Sequence, residues 1–448
     1  MKNSLLFEWV CLCMVLLLFI ILIAPQTTNA QSLSRIEVPS SMNPVGSGAR
    51  ALGMGGAFIA VADDATAASW NPGGLIQLET PEISVVGAYL QRTEDNTFGT
   101  SPEASGEQDV TSSNINYLSA AYPFKTLNRN MIVSVNYQHL YDFNRQWEFP
   151  IAISEPDLVE NQDVNIDQEG SLSAIGIAYC IQMTPRISFG FTMNFWQDGL
   201  YNNKWEMETH QSRTGTDTGL EYSTDTKVTD EYTFSGFNAN LGILWNINGR
   251  LTLGLVLKTP FTADLTHKTT EDVERMFPDN PGSNRNYSLS DETDEQLDMP
   301  MSYGIGLSYR TSDELTTSLD IYRTEWGDYI LTDSNGNEIS PITGQPADES
   351  DIKPTHQIRA GAEYLYIKDS YVIPFRGGVF YDPGPADKEP DDFYGFSLGT
   401  GFAKSKYVFD IAYQYRYGNS VGEFMLEGYG FSQDIKEHMI YASIIYHF

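Results

Sequence analysis

From residue 82 to the C-terminus, apolar and polar positions alternate in short runs divided by turn residues, the period of two that a β-strand imposes. In 406–417, Tyr407, Phe409, Ile411, Tyr413, Tyr415 and Tyr417 share one face, and Val408, Asp410, Ala412, Gln414 and Arg416 share the other. Leu251, Leu253, Leu255 and Leu257 alternate with Thr252, Gly254, Val256 and Lys258. Ile358, Ala360, Ala362, Tyr364 and Tyr366 oppose Gln357, Arg359, Gly361, Glu363 and Leu365. The pattern predicts fourteen strands, near 82–93, 114–124, 129–143, 169–183, 186–198, 230–247, 250–266, 299–310, 314–323, 356–367, 371–382, 392–403, 406–417 and 436–448.

A soluble sandwich alternates too, and the connections separate the two architectures. Lys125–Asn128, Thr184-Pro185, Asn248-Gly249, Thr311–Asp313, Lys368–Ser370 and Lys404-Ser405 are short links. Every other connection is long: 94–113, 144–168, 199–229, 267–298, 324–355, 383–391 and 418–435. Strict short/long alternation is the organisation of a bacterial transmembrane barrel, with short periplasmic turns and long outer loops. The expected fold is therefore all-β: a 14-stranded antiparallel transmembrane β-barrel, closed without edge strands and with both termini periplasmic. Ile440, Ala442, Ile444, Tyr446 and the terminal Phe448 share one face of the last strand. That ending resembles the signal read by the barrel assembly machinery, which makes this machinery, outer-membrane lipid and lipopolysaccharide expected partners.

Trp9–Ala24 is an unbroken apolar run preceded by Lys2 and followed by Pro25 and the small-residue site Thr28-Asn29-Ala30. Residues 1–30 read as a cleaved secretory signal; the alternative is a retained anchor, favoured by the length of the run and by Glu8. The division expected is signal 1–30, N-terminal plug 31–81 and barrel 82–448. Cleavage leaves Cys180 as the one cysteine, so no internal disulfide forms.

Composition narrows the function. Lys+Arg number 27 against 59 Asp+Glu, a net charge of −32, which excludes a nucleic-acid binder. A mean hydropathy of −0.30, with only one run near spanning length, excludes a helical membrane bundle. Part of the acid lies in 270–296, where Glu271, Asp272, Glu274, Asp279, Asp291, Glu292, Asp294 and Glu295 face only Arg275 and Arg285. Clustered carboxylates suit calcium, but no DxDxDG spacing occurs, and a solvated loop is the simpler reading. No metal and no cofactor is expected.

The segment before the barrel is rich in small residues, which let backbone approach backbone. Asp64 is placed to cap a short helix over 65–69 and Asn71 to cap one starting at Pro72. A phosphate-cradling loop is a poor match, since Gly53-Met54-Gly55-Gly56 lacks the preceding strand and the following Lys-Ser/Thr. Here the sequence resembles a known family. Gly48–Leu75 (GARALGMGGAFIAVADDATAASWNPGGL), MPMSYGIGLSYR with LTTSLDIYRTEW, FRGGVFYDPGPADKEP, and the hairpin GFNANLGILWNINGRLTLGLVLKTPFTADL are similar to FadL-type outer-membrane transporters of long-chain fatty acids and other hydrophobic compounds. The resemblance covers about residue 46 to Phe448. It implies a barrel with an N-terminal hatch, a monomer, and an apolar lumenal site from which ligand leaves by hatch movement or sideways at a kink in the third strand. Met131–Phe143 has no Gly or Pro to mark that kink, and Gln31–Val45 is an addition before the hatch core.

For a ligand carboxylate, lumenal cations are the natural partners. By parity Lys258, Arg310, Arg359, Arg376 and Arg416 fall on the non-lipid face; the competing reading pairs them with acids such as Glu363 and Asp410. Asn71 and Pro72 are candidate gating residues, while Phe58, Ile59 and Trp70 either line the apolar site or simply pack the plug. Three rivals remain. A scaffold barrel of type IX secretion shares the plan and a similar small-residue segment. A lipase would need a Ser near His139, His356 or His438, and none stands out, so no enzyme is expected. A general porin conflicts with the plug.

Overall fold

The computed structural model describes residues 46–154, 158–198, 203–426 and 428–448; the expected signal and residues 31–45 lie outside them. Twenty strands form one antiparallel sheet. In chain order they are β1 (Glu82–Phe98), β2 (Gly106–Thr126), β3 (Arg129–Asp142), β4 (Arg145–Ser154), β5 (Leu158–Thr184), β6 (Ile187–Trp196), β7 (Lys204–Asp217), β8 (Leu220–Asn246), β9 (Leu251–Lys258) and β10 (Phe261–Met276). They continue with β11 (Arg285–Met299), β12 (Ser302–Arg310), β13 (Leu315–Thr324), β14 (Ile330–Thr332), β15 (Glu338–Ile339), β16 (Thr355–Lys368), β17 (Tyr371–Tyr381), β18 (Phe393–Lys404), β19 (Tyr407–Val421) and β20 (Phe431–His447).

Fourteen strands make the wall, in the ring β1-β2-β3-β5-β6-β8-β9-β12-β13-β16-β17-β18-β19-β20. The ring closes where β1 pairs with β20, from Glu82↔His447 to Phe98↔Phe431. Parity holds: Phe409 and Ile411 are exposed to the outside, and Asp410 and Ala412 between them are buried inside. No helix among the described residues is long and apolar enough to cross a membrane.

Each expected strand has its counterpart, with one division. The run 250–266 breaks at Thr259-Pro260, where proline offers no N–H to the ladder. β9 stays in the wall, paired with β8 over Asn240–Asn246, whereas β10 leaves it and pairs with the earlier part of β8, Ser223–Ser235. The long connections are also not the open loops that the hydrophobic pattern suggested. β4, the first half of β5, β7, the first half of β8, β10, β11, β14 and β15 continue as a sheet beyond the barrel. Thr, Tyr and Val give these stretches strand propensity; β7, β10 and β11 are polar on both faces toward their tips, whereas β4 carries an apolar alternation of Trp147, Phe149, Ile151 and Ile153 that the strand expectation passed over.

Residues 46–78 fold inside the wall as helix α1 (Ala49–Gly53), helix α2 (Ala67–Trp70) and a 3-10 turn over Pro72–Gln77. Asn71 caps that turn as expected, accepting from Gly73 N–H at 3.0 Å. Asp64 does not cap a helix over 65–69; it accepts from Thr66 N–H at 2.8 Å, and the helix starts at Ala67. Inward-facing glycines of the wall give this segment room. A Cβ on Gly242 would lie 2.1 Å from Asn71 Oδ1, one on Gly361 2.2 Å from the Met54 carbonyl, and one on Gly378 2.3 Å from Gly55 N.

Candidate functional site

The floor of the lumen is the contact between segment 46–78 and the wall. Wall hydroxyls donate to its carbonyls: Ser188 to Gly73 at 2.7 Å, Thr192 to Ala68 at 2.8 Å, Ser318 to Ala57 at 2.6 Å, Ser397 to Gly53 at 3.1 Å and Tyr117 to Ala65 at 2.9 Å. Asp320 accepts from Ile59 N–H at 2.8 Å. Asn71, fully buried, donates to the carbonyls of Ile59 (2.8 Å) and of wall residue Ile243 (3.1 Å). Pro72 stands beside it against Gly242. Phe58 and Trp70 meet edge to face at 5.9 Å, both fully buried, so they pack the segment and line neither cavity of the lumen.

An ion-pair network also joins floor and wall. Arg50 gives Nε and Nη2 to the two oxygens of Glu363 at 3.0 and 2.9 Å, and it also holds Asp63. Glu363 is shared with Arg376 at 2.6 Å, and Arg376 reaches Asp410 at 2.6 Å. Arg359 and Arg416 are likewise paired, with Asp382 (3.2 and 3.4 Å) and, for Arg416, Glu437 (2.9 Å). The pairing reading thus holds for three of the five lumenal candidates. Arg310 shares the parity of buried Ser308 but ends β12 beside the short turn, where it is exposed. Lys258 is the candidate that faces a cavity away from these networks.

That cavity, about 60 Å³, is lined by Lys258 with Asn194, Asn238, Asn240, Gln357 and apolar neighbours. Through Tyr141, Met299 and Trp326 it shares its boundary with a pocket of about 10 Å³ completed by Phe143, Leu172, Trp205, Leu297 and Tyr329. Above it the rings Phe143, Trp205, Tyr232 and His267 stack at 4.7, 4.8 and 4.0 Å. His267 is held between Asp230 and Glu295, each at 3.0 Å. It lies outside the wall strands; burial lowers its affinity for a proton, but the two carboxylates prevail and carry its pKa up to about 9. None of these roof residues was singled out from sequence. They follow strand ends or lie in the sheet beyond the wall, where no apolar run marks them.

The wall has a seam. Pairing of β2 with β3 stops at Tyr117↔Gln138, while β3 runs on to Asp142 against β5 with a register shift between His139 and Tyr141. The irregularity arises without the Gly or Pro sought in 131–143.

A barrel whose lumen holds a seated N-terminal segment beneath an aromatic pocket matches a known group. The profile of the outer membrane protein transport protein family (OMPP1/FadL/TodX) fits residues 41–424. The chain belongs to this family. It is an outer-membrane transport barrel and not an enzyme. Among solved structures it is similar to a Pseudomonas aeruginosa FadL homologue (15% identity, 90% of this chain and 98% of that one, TM-score 0.61). It is also similar to the Pseudomonas putida toluene transporter TodX (12%, 90% and 98%, 0.57) and to the CymD monoaromatic hydrocarbon channel (16%, 91% and 98%, 0.52). At these identities the likeness shows the fold alone. No curated protein sequence matches the chain.

Proposed function

We propose that this FadL-type barrel takes up hydrophobic small molecules, long-chain fatty acids foremost, by capture beneath the aromatic roof and diffusion gated by the hatch segment 31–81. In this reading the long connections face the outside and both termini the periplasm. The barrel assembly machinery inserts the chain as a monomer among outer-membrane lipid and lipopolysaccharide. The observation that carries the proposal is the apolar cluster of Tyr141, Trp205, Trp326 and Tyr329, which encloses about 10 Å³ beside the Lys258 cavity of about 60 Å³, so that a ligand enters by parting these rings. An apolar chain gains by leaving water for such a pocket, and an ammonium within reach of its end favours a carboxylate. The toluene transporter among the similar structures agrees with an apolar cargo. The β2–β3 seam offers a sideways exit and the hatch an axial one.

Mass spectrometry of small molecules that co-purify with the gently extracted barrel tests this. A bound fatty acid or hydrocarbon is expected, and Lys258→Met is expected to lower carboxylate affinity about tenfold while leaving hydrocarbon affinity unchanged. A stable protein partner with no lipid retained would instead point to the scaffold reading.

A further inference from the structure

Beyond the wall, closure no longer protects every strand. β11 pairs with β10 along its whole length, from Arg285↔Arg275 to Met299↔Phe261. On its other side it pairs with β14 over Gln296–Asp298 alone. Among the described residues, no strand covers that side of Arg285–Glu295, and every residue from Arg285 to Glu292 is exposed. The Glu292 N–H turns away from β10 to the side chain of its own neighbour, Asp291 Oδ1, at 3.0 Å. Hydrogen-bonding direction alternates along an antiparallel ladder, so Ser288, Ser290 and Asp294 present their backbone groups to the same open side.

A free edge is normally blunted by lysine, proline, a bulge or a covering loop. Asn286–Glu295 contains neither lysine nor proline, and its register against β10 runs without a shift. Its defence is negative charge: Glu292 and Asp294 stand on one face, Asp291 and Glu295 on the other. A second copy of this chain, at net charge −32, would set like charge against like and is repelled. The same charges attract a cationic strand. The edge carries apolar surface as well, since Tyr287 and Leu289, on the face of Asp291, are 47% and 57% exposed. Nearer the wall, this edge already holds a strand of its own chain, β14.

We propose that the open edge of β11 docks an extended cationic polypeptide, which adds to the sheet as a strand in line with β14. Backbone groups of Ser288, Ser290 and Asp294 complete the ladder and supply affinity, as in other strand additions. Side chains supply the selection. Basic residues at alternate positions of the partner meet Glu292 and Asp294, and the apolar residues between them meet Tyr287 and Leu289. An acidic strand meets repulsion at the same positions. Asn286–Glu295 lines none of the lumenal cavities described above, so docking here is independent of uptake.

Fluorescence anisotropy on the full chain in neutral detergent tests this, with a labelled peptide of about ten residues alternating lysine and valine as the probe. It is expected to bind at least tenfold more tightly than its fully N-methylated form, which keeps every charge and side chain but has no N–H for a ladder. A glutamate–valine peptide of equal length should not bind. Hydrogen exchange of the 286–294 amides should slow about tenfold in the complex, while exchange of the hatch is unchanged. Ser290→Pro, which removes one outward N–H, should weaken the lysine peptide about fivefold. Glu292→Lys combined with Asp294→Lys should weaken it about tenfold. Equal binding of the N-methylated peptide would reduce the interaction to charge attraction and overturn strand addition. Binding that leaves 286–294 unprotected would overturn it too, and a lysine peptide that fails to bind would overturn the docking site itself.

Discussion

At the floor of the lumen, hydroxyls of Ser188, Thr192, Ser318 and Ser397 each meet one backbone carbonyl of the hatch segment. At the roof, Phe143, Trp205 and Tyr232 lie ring on ring. The floor is directional: hydrogen bonds and wall glycines specify one position of the segment, and leaving that position breaks many contacts together. The roof is non-directional, since burial scales with apolar area rather than with the placement of atoms. Under the proposed uptake, a lumen built this way would discriminate little at entry and strictly at release.

The largest change is expected when the floor is lifted. Gly242→Val places side-chain atoms where Asn71 stands, at a contact a Cβ alone would already bring to 2.1 Å. The barrel should still assemble, because the wall ladder is untouched, but sugar flux in liposome swelling should rise at least tenfold; flux unchanged would mean the segment does not block the lumen. Glu363→Gln comes next. It leaves Arg50 and Arg376 short of a shared buried partner, a loss on the order of 3 kcal/mol. Proteolysis within 46–78 should quicken accordingly, and unchanged proteolysis would show that the charged tie is dispensable.

The roof should respond more gently. Trp326→Ala removes a ring shared by both pockets and should weaken binding of dodecanol by about 2 kcal/mol, roughly thirtyfold, with hatch exchange unaltered. A shift in hatch exchange would deny that roof and floor are separate devices. The smallest effect is expected from pH. His267 carries a folded pKa raised to about 9 from its ordinary value near 6.5. Its contribution to the roof sheet is therefore complete below about pH 6.5 and is lost as pH rises through about 9. Thermal stability should fall across that window, and His267→Gln should flatten the profile; an identical profile in the variant would remove His267 from the roof's support.

The wall was legible in sequence because lipid enforces alternation: Tyr407, Phe409 and Ile411 face out for the same reason that Asp410 and Ala412 face in. The Asn71 cap was legible because its chemistry is local. The exposure of Arg310 at its strand end was not legible, because parity carries no depth. β7, β10 and β11 were hidden because polar strands beyond the bilayer need no apolar face. The roof and the Arg359–Asp382–Arg416 cluster were hidden for a different reason: they join residues far apart in sequence, through contacts that only the closed ring creates.

Hatch-gated uptake of a hydrophobic molecule is read from the initial rate of radiolabelled oleate uptake. The rate is compared between cells making the wild-type chain, cells making Asn71→Ala at equal surface level, and cells making neither. Clear uptake is expected with the wild type and a severalfold faster rate with Asn71→Ala, which removes the side chain that ties Ile59 of the hatch to Ile243 of the wall. Equal rates in all three would contradict transport of this substrate, and equal rates in the first two would contradict the gate.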